Sequence, residues 1–247
     1  PDGDKPVYTS LYGGEVVTQV GGPVGLFYGY KTQGVFSTSE DAASAGLRNG
    51  RADGDVFRGG DMHFADLVAD GVIDEKDKTV IGDPNPDIFG NFGTSLHYKN
   101  WTLNAFFSYS LGNDIYNYQR AVLEGGSTYY NQTTAVLNRW TSEGQVTEIP
   151  RAELGDPMGN SRFSDRWIED GSYLKLKTLS LSYRIPFNYT FLQGITVWAA
   201  ANNVFTCTKY LGSDPELSIS SSAVGQGIDR GLLGRGRSFV LGVKINL

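Results

Sequence analysis

Runs of alternating hydrophobicity recur along this chain, and the stretches joining them are by turns very short and very long. The final run is the cleanest. Phe239, Leu241, Val243, Ile245 and Leu247 fall on one side, and Ser238, Val240, Gly242, Lys244 and Asn246 on the other. Period two over such a length marks a strand with two chemically different faces. Trp101, Leu103, Ala105, Phe107, Tyr109 and Leu111 likewise oppose Thr102, Asn104, Phe106, Ser108 and Ser110. Just before them, Phe92, Thr94, Leu96 and Tyr98 oppose Asn91, Gly93, Ser95, His97 and Lys99, so Lys99-Asn100 reads as a hairpin turn. Residues 172–186, 194–205, 24–36 and, more weakly patterned, 12–20 complete about seven expected strands. The connections 21–23, 99–100 and 187–193 are short, whereas 37–88, 112–171 and 206–235 are long.

Connections of that length count against an ordinary compact soluble domain. A membrane barrel has them by design, with short turns on the periplasmic side and long loops outside the cell. The expected fold is therefore all-β, an antiparallel up-and-down transmembrane β-barrel of which this chain is a portion. A β-sandwich would bury one face of each strand equally well, but gives no reason for long and short connections to segregate. Within the long loops, residues 115–124 and 133–140 have helical composition, separated by Gly125-Gly126.

Composition agrees with strands and turns: aromatic residues are 13%, charged residues 19%, and glycines number 32. Lys and Arg total 21 against 27 Asp and Glu, so no basic surface exists to neutralise phosphates and nucleic acid is excluded as a partner. One cysteine, Cys207, permits no internal disulfide, and with two histidines it excludes a thiolate–imidazole zinc cluster. No apolar run approaches the roughly 18 residues of a membrane helix, which leaves strand-built membrane proteins open.

The sharpest local motif lies in the acidic segment 64–88. Calcium loops place oxygen ligands at positions 1, 3, 5, 7, 9 and 12, with glycine at 6 and an aliphatic at 8. Asp66, Asp70, Asp74 and Asp77 match positions 1, 5, 9 and 12, the Val72 carbonyl matches 7, Gly71 supplies the turn and Ile73 the inward anchor. Val68 stands where a third-position ligand belongs, and Asp77 is shorter than the usual glutamate. A structural calcium ion is the expectation; a polar loop of Asp-Gly turns is the simpler alternative. No nucleophile elbow, zinc-protease motif or P-loop occurs, so no enzyme is expected. His63 reads as a solvated loop residue. The acidic pairs Glu169-Asp170 and Asp214/Glu216 read as turn formers and caps, not as glycosidase carboxylates.

Several stretches resemble one known family. They are Gly22-Pro23-Val24-Gly25-Leu26-Phe27-Tyr28-Gly29-Tyr30-Lys31, then Asp70-Gly71-Val72-Ile73-Asp74-Glu75-Lys76-Asp77 and Ile81-Gly82-Asp83-Pro84-Asn85-Pro86. The most specific is Ile168-Glu169-Asp170-Gly171-Ser172-Tyr173-Leu174-Lys175-Leu176-Lys177, followed by Asn202-Asn203-Val204-Phe205-Thr206 and Asp214-Pro215-Glu216. In this order they resemble the C-terminal part of SusC/RagA-family TonB-dependent outer-membrane transporters of Bacteroidetes, over nearly all of residues 1–247. The resemblance implies a plugged barrel of about 22 strands. It also implies import of oligosaccharides or peptides driven through TonB, and a SusD-like surface lipoprotein covering the barrel from outside. The plug, the TonB-contacting segment and the other strands would then lie outside this sequence. Leu247 departs from the usual terminal aromatic.

On this expectation the segment supplies a lipid-facing wall, a polar lumen wall and extracellular loops. Its lumen-facing candidates are Asn91, Ser95, His97, Thr102, Asn104, Ser108, Ser180, Ser182, Arg184 and Lys244. Loops 112–171 and 206–235 are the candidate surfaces for the lipoprotein. A soluble all-β, calcium-binding carbohydrate-recognition module is the alternative.

Overall fold

Five long strands form one antiparallel meander in the computed structural model, which describes residues 3, 5–51, 55–186, 194–219 and 222–246. They are β1 (Ile88–Tyr98), β2 (Trp101–Leu111), β3 (Tyr173–Ile185), β4 (Gly194–Thr208) and β5 (Ser238–Asn246). The sheet order is β5-β4-β3-β2-β1, so every strand pairs with its neighbour in sequence, and β1 and β5 are the edges. The alternation sets the register. Tyr98 pairs with Trp101, His97 with Thr102 and Ser95 with Asn104; Thr102 pairs with Ser182 and Asn104 with Ser180. A slip of one residue would exchange the two faces of a strand and set its leucines and phenylalanines among serines. Lys99, at φ 53°, closes the expected two-residue turn between β1 and β2. The expected short connection 187–193 and Leu247 lie outside the described residues.

The alternation of β3 and β4 is broken once. Phe106 pairs with Thr178 but Phe107 with Leu176, leaving Lys177 as an extra residue against β2. On the other side, the pairing moves from Leu176–Phe205 to Thr178–Asn202, with Asn203 at φ 52°. Such a bulge changes the parity of the strand. Lys175 and Thr178 therefore share a face although they are three residues apart. Gly242 shows a second local demand: it pairs with Trp198, and a Cβ there would lie 2.4 Å from the indole ring.

The meander accounts for one of two compact units: Pro86–Asn113, Asp170–Glu216 and Leu233–Leu247. The other comprises Pro1–Asn85, Asp114–Glu169 and Leu217–Leu232. Most of the residues expected as long loops thus belong to a folded body with its own core. One cluster holds Val16, Phe27, Tyr116, Trp167 and Ile228, drawn from all three of its segments. Ile228–Asp229 runs parallel to Tyr116–Asn117, joining two of those segments by backbone pairing. A second cluster gathers Tyr30, Phe36, Phe57, Met62, Phe64 and Ile73 around Met158.

This second unit corrects the strand count. Residues 12–20 and 24–36 are not wall strands. They contribute Gly14–Thr18, Leu26–Gly29 and Thr32–Val35, and the first two lie in a four-stranded sheet with Val7–Leu11 and Thr79–Gly82. The physical reason is visible in the chain. Tyr12, Gly13, Gly21, Gly25 and Gly34 all take positive φ and cut the runs short. Val16-Val17 and Leu26-Phe27 are buried in consecutive pairs, which is core packing and not a two-faced strand. The helical stretches are realised in part: an α-helix spans Tyr118–Glu124 and a 3-10 helix Thr134–Asn138.

Two buried arginines brace the second unit. Arg162 lies over the rings of Phe64 and Tyr30, at 4.6 and 4.9 Å, and donates to the carbonyls of Met158 and Gly159 and to Asn49. Arg166 stacks on Trp167 at 4.2 Å, while the Trp167 indole donates to the Arg162 carbonyl. Burial pushes both guanidinium pKa values down to about 10, still far above neutrality, so both stay charged.

Trp167 is fully buried at the meeting point of the three segments. Trp167→Ala should lower the stability of the second unit by about 3–5 kcal/mol. Leu137→Ala, at an exposed position, should change it little. Denaturant midpoints of the full-length protein, followed by hydrogen exchange within this unit, would check both.

Candidate functional site

The meander presents one apolar and one polar face, and the register decides which residue lies where. The apolar face carries Leu96, Leu103, Phe107, Leu181, Val197, Leu241 and Val243. Phe92 stacks on Phe107 at 4.8 Å, and Trp101 packs on Tyr183 at 4.6 Å near the Lys99-Asn100 turn. This face is bare: Phe239 is 81% and Leu241 84% exposed. A contiguous apolar surface of that kind is untenable in water and marks an interaction surface.

All ten residues expected in the lumen fall on the opposite face. Along β1 and β2 these are Asn91, Ser95 and His97 against Ser108, Asn104 and Thr102. β3 adds Ser180, Ser182 and Arg184, and Lys244 follows through Thr196. Their side chains hydrogen-bond across strands. The His97 ring lies between the Ser95 and Thr102 hydroxyls at 3.1 and 2.9 Å. Asn104 donates to Ser180 at 3.3 Å. Thr178 donates to Asn202, which in turn donates to Ser238, both at 3.1 Å. Neutral donors and acceptors thus line most of the face. Phe89, Phe106, Trp198 and Val240 interrupt it.

An ion-pair network also lies on this face, and sequence reasoning missed it. Lys175 is 2% exposed, with its ammonium 2.7 Å from Asp214 and 3.1 Å from Glu216. Lys177, the bulge residue, pairs with Glu216 as well. Burial pushes the Glu216 carboxyl up, but Lys177 and Lys175 pull it further down, and it stays ionised. Asp214 and Glu216, expected only as turn formers, tie the start of the β4–β5 connection to β3. Asp214 also accepts from the Glu216 amide, as a turn former does. The signal was present in Tyr173-Leu174-Lys175-Leu176-Lys177 and Asp214-Pro215-Glu216, but pairing them requires knowing the bulge. Of the other acidic pair, Asp170 caps the Ser172 amide as expected, while Glu169 pairs with Arg120 at 2.9 Å.

The acidic loop belongs to the second unit. Gly71 makes the sharp turn at φ 78°, and Ile73 is fully buried, as the motif requires. The carboxylates, however, turn to the loop's own backbone. Asp66 accepts from the amides of Ala69 and Gly71 at 2.7 and 2.8 Å. Asp77, fully buried, accepts from Leu67 and Val68 with one oxygen and from Asp74 with the other. Asp70 accepts from the Val72 amide, and the Lys76 ammonium lies 3.4 Å from both Asp70 and Asp74. Among the described residues no three Asp, Glu, His or Cys side chains converge to hold a metal. The loop's carboxylates are thus engaged by its own amides and by the Lys76 ammonium. His63, expected in solvent, is instead half-buried and stacked on Phe36 at 4.3 Å; burial lowers its pKa, so it is neutral at pH 7.

Amide donation, from Gly71 foremost, holds the Asp66 carboxyl below its ordinary range. A carboxyl depressed in the folded state stabilises the loop at neutral pH, and that contribution disappears as the pH falls through its folded pKa. The protection factor of the Gly71 amide, its exchange rate against the intrinsic rate at each pH, should therefore stay high at neutral pH and fall below the usual carboxylate range.

Comparison with known proteins agrees with this architecture. No family model matches the sequence. TonB-dependent receptor P3 of Formosa agariphila is 33% identical over 99% of this chain, which corresponds to 25% of that protein. P26 of the same organism is 30% identical over 92% of the chain, and SusC of Bacteroides thetaiotaomicron 28% identical over 74%. The chain spans about a quarter, or less, of the length of these curated relatives, 25%, 23% and 17% respectively. Among solved structures, the RagAB peptide importer in its open-open state matches all of the chain at TM-score 0.71 and 21% identity, using 24% of its own chain. A further RagAB peptide transporter structure matches 97% at TM-score 0.72 and 23% identity. At that identity the likeness establishes the fold alone: the chain folds like a segment of those chains. By sequence nearly the whole chain is similar to a segment of proteins named TonB-dependent receptors, with SusC matching 74% of it.

Proposed function

We propose that this chain, as a segment of a TonB-dependent receptor of the SusC/RagA kind, supplies five strands of an outer-membrane barrel. In this reading the complete protein imports oligosaccharides or peptides. The single observation that carries it is the division of the meander into a bare apolar face and a hydrogen-bonding face. A lipid bilayer on one side and a watery lumen on the other satisfy both. The relatives named as receptors and importers support the same reading.

The roles then follow from chemistry. Leu96, Leu103, Leu181, Leu241 and Val243 meet lipid. Asn91, Ser95, His97, Thr102, Asn104, Ser108, Ser180 and Ser182 offer neutral hydrogen-bonding groups to a passing polar solute, and Arg184 and Lys244 lie at the turn end of the same face. Energy enters through TonB by way of parts of the protein beyond this segment. The 112–171 and 206–235 connections, long and rich in exposed side chains such as Tyr129, Tyr130 and Leu137, are the surfaces offered to a SusD-like lipoprotein. A soluble carbohydrate-recognition module is disfavoured because Phe239, Leu241 and Val243 lie exposed on one face of the meander.

Leu241→Arg and Val240→Arg in the full-length receptor separate the two environments. An arginine facing lipid near mid-membrane costs about 2–4 kcal/mol, whereas a lumen position tolerates it. Heat-modifiable migration on gels should show a marked loss of folded receptor for Leu241→Arg and a near-normal level for Val240→Arg. Equal tolerance of both would remove the membrane assignment. Uptake of labelled oligosaccharides and oligopeptides by cells with and without the receptor, and with and without TonB, tests the transport itself; uptake independent of both would refute it.

A further inference from the structure

The second unit contains a half-open cavity of about 180 Å³, to which the acidic segment 64–88 contributes Lys78. Ser10, Gly14, Glu15, Tyr28, Arg51, Lys78 and Phe163 line it, with Tyr30 deeper inside. It is built by the tight hairpin Val7–Leu11/Gly14–Thr18, whose turn residues Tyr12 and Gly13 both take positive φ. Gly14 is required here: a Cβ would lie 2.9 Å from the Phe163 ring.

Three features of the lining point to one class of ligand. The first is the aromatic wall. Tyr28 is held at a fixed tilt against Tyr8, ring centres 5.1 Å apart, and Tyr30 is fixed by its hydroxyl contact to Glu75 at 3.4 Å. The second is a prearranged donor and acceptor. Lys78 is largely buried, 3.1 Å from Glu15 and also paired with Glu75. Its ammonium has three donors, so two paired carboxylates leave one N–H, while each carboxylate keeps unused lone pairs. One donor beside one acceptor matches neighbouring hydroxyls. The third is size, since a cavity near 150 Å³ accommodates benzene; this one admits a single six-membered ring. A ligand carboxylate would compete with Glu15 for Lys78, whereas a hydroxyl-bearing neutral ring leaves that pair in place and can also accept from the exposed Arg51.

We propose that this cavity is a subsite for one neutral pyranose ring of an oligosaccharide, stacked on Tyr28 and hydrogen-bonded by Glu15 and Lys78. The proposal rests on the oligosaccharide branch of the function argued above and assigns that branch a recognition site in the second unit.

Saturation-transfer NMR on the full-length receptor in detergent tests it, with methyl glucoside, methyl galactoside and methyl mannoside as probes, and methyl glucuronoside and trialanine as competing classes. At least one neutral glycoside should show saturated ring protons. Tyr28→Ala should weaken that binding by about tenfold, Tyr28→Phe should restore it, and Ser10→Trp, which fills the opening from an exposed position, should abolish it while leaving the melting temperature unchanged. Saturation of trialanine alone, preference for the glucuronoside, or a neutral-glycoside signal indifferent to Ser10→Trp would overturn the proposal. Cellular uptake separates it from the transport reading. Oligosaccharide uptake that survives Ser10→Trp unchanged sinks the subsite alone, whereas binding without TonB-dependent uptake leaves the subsite standing and sinks the transport.

Discussion

Backbone pairing within the meander is the constraint on which the rest depends. A strand buried in hydrocarbon has no water to satisfy its amides and carbonyls, so each must find a neighbouring strand. Once that pairing is obligatory, the register fixes two faces for the whole sheet at once, because no strand can rotate independently of its neighbours. The sequence then needs only to alternate. Leu96, Leu103, Leu181, Ala199 and Leu241 form one cross-strand row, and Ser95, Asn104, Ser180, Ala200 and Val240 the adjacent row on the other face. Few of these side chains pack into a three-dimensional core. In the proposed function their value lies in matching two solvents.

The second unit obeys the opposite logic. Its strands are short, its glycines take left-handed conformations, and its stability resides in buried aromatic and arginine contacts around Trp167 and Phe64. Charged groups there are handled by enclosure: Arg162 by rings and carbonyls, Asp77 by three amides, Lys78 by two carboxylates. One chain thus alternates between a part stabilised by a periodic pattern and a part stabilised by specific contacts. The Lys175–Asp214–Glu216 network lies in the meander but has the character of the other unit, a buried charge fully paired.

That difference explains what was legible in the sequence. The β1–β2 hairpin, the polar face and its ten residues could be read directly, since parity alone sets them. Residues 12–20 and 24–36 deceived because local alternation is weak evidence where glycines interrupt it and both faces are buried. The bulge at Lys177 hid the pairing of Lys175 with Asp214, as one inserted residue changes parity without altering composition. In the acidic loop the turn at Gly71 and the anchor at Ile73 were recognisable. The destination of its carboxylates was not, because amides and a cation both accept the same spacing of aspartates. The cavity beside Tyr28 left no sequence mark at all, being assembled from residues 10 to 163.

The second unit is interleaved with the meander along the chain, and this has a consequence for the order of assembly. Val16 and Phe27 are made before β1, Tyr116 and Trp167 between β2 and β3, and Ile228 only after β4. Until residues 217–232 exist, the parallel partner of Tyr116–Asn117 is missing and the cluster around Trp167 remains open to water. Contacts so distant in sequence form slowly and leave sticky surface exposed meanwhile. The unit therefore closes late, when four of the five strands have already been made. A chain cut short before Ile228 would betray itself by the exposed apolar surface that a quality-control protease or chaperone can bind.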